Sequence, residues 1–243
     1  MVSFASESIA HVGGFPITNT FLNTLLVDAV LIGACVSIKK NLSLIPGFFQ
    51  NLIEFTIETF YNLTESVAGK NASKIFPYVS SFFLFILISN WTGLIPGVGT
   101  VGFFEDGKLV PIMRSTTSDL NTTFALALIS TVATHMLSIK TLGGKEYLSR
   151  YFSLNPINLF VGVLEIISEI TKVISLSFRL FGNILAGEVV LFTVSSIFAF
   201  IFPLPFMLLE VIIGLVQALV FSMLTMAFMA ILMTPHYEKK EVS

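Results

Sequence analysis

The chain has 243 residues, of which 54% are hydrophobic and 12% are charged, and its formal net charge is −2. A soluble domain carries about 25% charged residues. The composition therefore predicts an integral α-helical membrane protein, with a single transmembrane domain over residues 1–243. The slight acidic excess argues against a nucleic-acid partner. Cys35 is the single cysteine, which excludes an internal disulfide and a thiolate metal cluster.

The first predicted crossing comprises residues 17–38, and Lys39 and Lys40 follow it at once. Lysine and arginine concentrate in cytoplasmic loops, so we expect this end inside the cell and the N-terminus outside. Residues 46–70 have apolar side chains at helical spacing, with polar side chains between them. That pattern predicts an amphipathic helix at the cytoplasmic interface or against a partner.

Two further crossings are predicted in the middle of the chain, at residues 76–95 and 120–139. The segment between them, residues 96–118, contains Gly, Pro and charges of both signs, and we expect it to form an outer loop. The third crossing should return inward, because three basic residues follow it. These residues are Lys140, Lys145 and Arg150.

Residues 156–202 are too long for an ordinary crossing. As one straight helix they would extend about 70 Å, against about 30 Å of hydrocarbon. They form either two spans with a turn near Gly182 or one strongly tilted helix. The final span, residues 205–234, precedes Lys239 and Lys240, which should lie inside. An outer N-terminus and an inner C-terminus require an odd number of crossings, so we favour the tilted helix and about five crossings.

Arg179 is the most informative residue in the sequence. A guanidinium at membrane depth costs about 3 kcal/mol on insertion scales, and it cannot lose its proton. No acid lies three or four residues away, so its counter-charge must come from elsewhere. A helical projection places further polar side chains within about 40° of Arg179. They are Glu165, Ser168, Lys172, Ser175 and Asn183.

Salt bridges between neighbouring positions are the competing explanation for part of this stripe, since Glu169 and Lys172 are three residues apart. Glu188 lies nine residues after Arg179 and faces the opposite side of the helix.

The last predicted helix contains an isolated carboxyl, Glu210, with Gln217 on the same face. An intramembrane carboxyl is a functional-site hypothesis, here a group that exchanges protons. The competing explanation is a protonated acid in a hydrogen bond between packed helices. Small residues would allow another backbone to approach these helices closely. They are Gly182, Ala186, Gly187 and Gly214.

Five segments together resemble a known family, subunit a of the F-type (F1Fo) ATP synthase in its bacterial form. The most specific is Ser-Leu-Ser-Phe-Arg-Leu-Phe-Gly-Asn-Ile-Leu-Ala-Gly-Glu at residues 175–188. The others occur in the family's order and are Asn-Trp-Thr-Gly-Leu-Ile-Pro at 90–96, Asp-Leu-Asn-Thr-Thr at 119–123, Pro-Ile-Asn at 156–158 and Gln-Ala-Leu-Val-Phe at 217–221.

The resemblance implies an all-α membrane subunit whose two long, tilted C-terminal helices pack against a rotating ring of c subunits. Two offset aqueous half-channels would lead protons to the carboxylates of the ring. Such a subunit has no catalytic site of its own and needs no cofactor. Its partners would be the c-ring, the peripheral-stalk b subunits and membrane lipid. It would lie in the bacterial plasma membrane, with the N-terminus outside and the C-terminus in the cytoplasm.

The resemblance also implies roles for particular residues. The family's essential arginine matches Arg179, and two polar neighbours of that arginine match Asn183 and Gln217. Glu188 and Glu210 match positions of the outer half-channel, and Glu165 matches an acid of the cytoplasmic one. Possible lining residues of the half-channels are Asn90, Asp119, Asn121, His135 and Ser175.

One position departs from the family's pattern. Family members often pair a Glu with a His where this chain has Glu188 and Glu210. Two neighbouring acids cannot both ionise cheaply, so either of the two could exchange the proton. A different class of protein also remains open: a stand-alone secondary transporter that uses Arg179 to bind an anionic substrate. Such a transporter would show internal repeats, and we find none.

Overall fold

A computed structural model gives the architecture of most of the chain. It describes residues 7–12, 15–40, 42–43, 46–95, 102–105, 108–151, 156–197 and 202–234. Lys239 and Lys240, on which the predicted side of the C-terminus depends, lie outside the described residues.

The described residues are mainly helical. In chain order the helices are α1 (Asn19–Lys40), α2 (Phe48–Ala68), α3 (Ala72–Thr92), α4 (Leu120–Leu142), α5 (Gly144–Tyr151), α6 (Pro156–Ile197) and α7 (Pro203–Leu232). Two antiparallel hairpins accompany them, β1 (Ser8–Val12) with β2 (Phe15–Thr18) and β3 (Gly102–Glu105) with β4 (Lys108–Pro111). Neither hairpin nor the short helix α5 was predicted, and β3 and β4 lie within the expected outer loop.

Four stretches of the described chain are long and apolar enough to cross a membrane, which confirms the all-α membrane class. They are Asn19–Lys40, Gln50–Thr92, Leu120–Leu142 and Pro203–Leu232. The second stretch combines α2 and α3. The chain changes direction between them at Gly69, whose φ of +51° favours glycine. α2 then packs back on α3, with the ring centroids of Phe60 and Phe83 4.4 Å apart.

α6 is one continuous helix of 42 residues, with no turn near Gly182. At 1.5 Å per residue it is about 63 Å long. The absence of proline after Pro156 explains its continuity, because proline would remove a backbone hydrogen bond. The alternative of two spans is therefore wrong for the described residues 156–197, while a tilted crossing of the membrane by α6 stays a prediction.

The core lies where α3, α4, α6 and α7 meet. Its buried side chains include Phe82 and Ile86 from α3, Ala127 from α4, Leu180 from α6 and Phe221 from α7. Only one face of α6 contributes to this core. On another face, Phe178 is 57% exposed beside the exposed Arg179, so the packing leaves the arginine on an open surface.

Candidate functional site

Arg179 lies near the middle of α6, on the open face of the helix. Within the described part of the chain, its guanidinium has no ion pair and no hydrogen bond. A groove of about 410 Å³ runs beside it between α6 and α7. Ser175 and Lys172 line this groove from α6, and Leu224 and Phe228 line it from α7. The predicted stripe therefore reaches an accessible surface at Arg179, Ser175 and Lys172.

The amide of Asn183 lies one helical turn beyond Arg179 and is bonded to α7. Its Nδ2 donates to Oε1 of Gln217 at 2.7 Å. Gln217 is buried with Glu210 and Gly214 on the same face of α7, as the spacing of these residues predicted. The structure thus brings Asn183 and Gln217 together next to Arg179, and their bond joins the two long helices.

We define the Glu169 cluster as the charged and polar group before Arg179 in the sequence, formed by Glu165, Glu169, Lys172, His135, Tyr147 and Arg150. In it, Lys172 Nζ lies 2.7 Å from Glu169 Oε1, which is the pairing that the three-residue spacing suggested. His135 Nε2 is 3.6 Å from Glu169 Oε2. The other ring nitrogen of His135, Nδ1, is 2.9 Å from the hydroxyl of Tyr147.

Glu165 pairs with Arg150, with 2.8 Å between Oε1 and Nε. Arg150 is buried and also donates from Nη1 to the carbonyl of Leu232 at 3.2 Å. The helical projection had placed Glu165 on the same stripe as Arg179. Its side chain instead contacts α5, because a projection gives the direction of Cβ and not the reach of a long side chain.

We define the Glu210 cluster as the charged group around the part of α6 that follows Arg179, formed by Arg114, Glu188 and Glu210. Arg114 Nη2 lies 3.0 Å from Glu188 Oε2, and the two side chains are 12% and 23% exposed. Glu210 is buried, and its carboxyl lies against the backbone of Gly187. Glu210 Oε2 has no hydrogen-bond partner among the described residues.

The predicted proximity of Glu188 and Glu210 is present, since Gly187 contacts Glu210 and precedes Glu188 in α6. The two acids differ in their partners, however. Glu188 has a cation beside it, and Glu210 has none in the described structure. The two neighbouring carboxyls therefore have different electrostatic surroundings.

Asn90 lies close to the Glu210 face of α7. Its Nδ2 donates to the carbonyl of Gly214 at 3.0 Å, and its Oδ1 accepts a hydrogen bond of 2.6 Å from the hydroxyl of Thr117. A Cβ added to Gly214 would lie 3.1 Å from that of Asn90. The small residue thus allows the close approach that the sequence suggested.

Two other predicted lining residues have local structural contacts. Asp119 is the N-cap of α4, where its Oδ1 accepts from the backbone N–H of Asn121 at 2.9 Å. Its Oδ2 accepts from the Thr20 hydroxyl at 3.1 Å. The Asn121 side chain is exposed. Capping accounts for Asp119 without a role in proton transfer.

Sequence reasoning missed Arg114 and Tyr147 as site residues, and it used Arg150 only for the topology. Arg114 lies between β4 and α4, where no helical period assigns a face to a residue. Its charge within the expected outer loop was the available signal. That signal could not identify Glu188, 74 residues later, as its partner.

Comparisons with known proteins found a matching family. A sequence model of the family described as ATP synthase A chain matches residues 20–230. The chain is also similar to a protein from Moorella thermoacetica described as ATP synthase subunit a. The two are 34% identical over 222 residues, which cover 91% of this chain and 94% of the relative.

Proposed function

Because the chain belongs to the ATP synthase A chain family, we propose that it is the proton-conducting stator subunit of the Fo motor and that Arg179 forces protons onto a rotating c-ring. Membership in this family argues against a stand-alone secondary transporter. The subunit would couple ion flow across the membrane to ATP synthesis or hydrolysis by the whole complex.

The observation that carries this proposal is an exposed guanidinium without a partner in the described chain. A cation in an apolar environment is costly unless an opposite charge meets it. On the same helix, an added Cβ at Gly182 would meet nothing within 4 Å. This open face suits a ring helix that carries a carboxylate. Opposite Arg179, that carboxylate would favour its ionised form and release its proton.

The acids lie on both sides of Arg179 along α6, which suits two separate aqueous paths. Glu169 comes ten residues before it and Glu188 nine residues after it, or about 15 Å and 14 Å along the axis. A fixed cation between the paths repels a proton that would pass directly from one to the other. The proton would then have to travel with the ring, and each charge that crosses 100 mV supplies about 2.3 kcal/mol.

The remaining assignments follow from the family. The chain would contact the peripheral-stalk b subunits and lie in the bacterial plasma membrane, with its N-terminus outside and its C-terminus in the cytoplasm. Glu165 would belong to the cytoplasmic half-channel, and Glu188 and Glu210 to the outer one. Asn183 and Gln217 would keep the surroundings of Arg179 polar and its helix in place.

The test is ATP-driven proton pumping in inverted membrane vesicles. Arg179→Ala should abolish pumping while the subunit still assembles. Arg179→Lys should also fail, because a lysine ammonium can lose its proton when it is desolvated and lacks the planar guanidinium. Lys145→Ala, which removes an exposed cation of α5, is the control and should pump normally. Normal pumping by Arg179→Ala would contradict the proposed mechanism.

A further inference from the structure

We propose that Arg114 is a positioning residue of the same proton path, which holds Glu188 as a carboxylate and leaves Glu210 as the acid that exchanges protons. This inference rests on the proposed function and deepens it. It assigns a task to a loop residue, and it gives different roles to two acids, of which the sequence left open which one exchanges the proton.

The first step is the geometry of the ion pair. Two nitrogens of Arg114 contact the same oxygen of Glu188, Nη2 at 3.0 Å and Nε at 3.3 Å. Both side chains are largely withdrawn from water. Hydrogen bonds between ionised groups are stronger than neutral ones, and a low dielectric strengthens their attraction. Protonation of Glu188 would weaken this contact, so the Arg114 cation favours the carboxylate form of Glu188.

The second step is the contrast with Glu210. This side chain is 4% exposed, and its Oε2 has no hydrogen-bond partner among the described residues. A buried polar oxygen without a partner is costly. Glu210 is therefore the acid that can gain or lose a proton without breaking an ion pair, and its free oxygen is available to a water molecule or a ring carboxyl.

The third step is the coupling between the two acids. Glu188 acts electrostatically on Glu210, and Arg114 acts on Glu188. Within the described structure, Arg114 and Glu188 are the charged groups that face this site, and α3 contributes the neutral Asn90 and Trp91 near Gly214. The charge state of the Arg114–Glu188 pair therefore sets the field in which Glu210 exchanges its proton.

The experiment measures passive proton conduction through the Fo sector as a function of pH, in vesicles from which the catalytic sector has been removed. Conduction should fall at high pH, where the entry acid is no longer protonated. The midpoint is the pH at which conduction has fallen to half. Arg114→Gln removes a cation, so protons bind the nearby acids more tightly and this midpoint should rise. Glu188→Gln removes an anion beside Glu210, so the midpoint should fall. Charges at this range shift such midpoints by about one pH unit or more.

Three further variants complete the test. The double variant Arg114→Gln/Glu188→Gln removes a neutral pair, and its midpoint should return close to that of the wild type. Arg114→Lys keeps the cation and should also retain the wild-type profile. Glu210→Gln should conduct poorly at every pH. The amounts of this chain and of the ring in the vesicles report assembly for each variant.

Unshifted midpoints in both single variants would overturn the proposal and reduce the ion pair to a structural contact. Wild-type conduction by Glu210→Gln would overturn it as well. If Arg114→Gln fails to assemble, the profile of Glu188→Gln alone decides. Failure here leaves the Arg179→Ala result intact, whereas failure of the proposed function appears as normal pumping by Arg179→Ala.

Discussion

α6 carries acids on both sides of Arg179, and the two clusters differ in how their charges are balanced. In the Glu169 cluster, Glu165 pairs with Arg150, and Glu169 pairs with Lys172. In the Glu210 cluster, Glu188 pairs with Arg114, and Glu210 has no cation in the described chain. Each acid of the Glu169 cluster is paired with a cation, which suits a structural role. The Glu210 cluster contains an acid without a cation, and we propose that this acid exchanges protons.

The two clusters also differ in what their arginines hold. Arg150 donates to the last carbonyls of α7 and pairs with α6, so it joins three helices. Arg114 pairs with Glu188 from the segment between β4 and α4. Loss of Arg150 should therefore affect the fold first, and loss of Arg114 should affect proton transfer first.

The largest effect is expected from Arg150→Ala. It leaves Glu165 without its cation and removes one donor from each of the last two carbonyls of α7, and breaking a buried pair on one side costs about 3–5 kcal/mol. Two quantities are measured: the amount of this chain in the membrane, and the temperature at which this chain dissociates from the purified complex. Lys145→Ala is the exposed control. Wild-type amounts and stability for Arg150→Ala would contradict a structural role for the Glu169 cluster.

The next largest effect is expected at the unbalanced carboxyl. Glu210→Gln should slow ATP-driven pumping by about a hundredfold, within the range for loss of a proton-transferring group. Glu188→Gln should slow pumping less, since Glu188 is held in its ion pair. Both variants should be compared in the same background at equal subunit content. Equal rates near the wild-type value would remove both acids from the path.

The smallest effect is expected from Gly187→Ala. A Cβ at this position meets the Glu210 carboxyl, which is the flexible end of its side chain and can shift. We expect pumping to fall several-fold, with assembly unchanged, because small displacements of a reacting group reduce its rate. Gly33→Ala on α1, where a Cβ meets nothing within 4 Å, is the matched control. Unchanged pumping by Gly187→Ala would mean that the exact placement of Glu210 is unimportant.

The helices could be predicted closely from the sequence, and the loops could not. Hydrophobic stretches place α1, α4 and α7 within a few residues of their bounds, because burial in lipid depends on local composition. The continuity of α6 followed from the absence of proline and from charge parity. The hairpins and α5 were missed, since they are short segments of four to eight residues whose structure depends on their neighbours.

Some contacts of the candidate site could likewise be predicted before the structure was known, and others could not. Asn183 and Gln217 were expected near Arg179, and their side chains meet at 2.7 Å. Helical spacing supports that inference for Asn183, which lies on the same helix as Arg179, whereas Gln217 was expected there from the family resemblance. The partners of Glu165 and Glu188 come from α5 and from the segment before α4. A contact between distant segments depends on how the helices pack, which a single sequence does not specify.

The long reach of α6 has a mechanical consequence. In the proposed motor, a ring that turned past Arg179 would push sideways on the helix, about 21 Å from the position where Glu165 pairs with Arg150. One turn beyond Arg179, the bond between Asn183 and Gln217 ties α6 to α7 again. α6 is thus held by a side-chain contact on each side of Arg179, the residue on which the torque would act. In the proposed motor, these two contacts would keep the cation at a constant distance from the axis of rotation while the direction of the force on it changed.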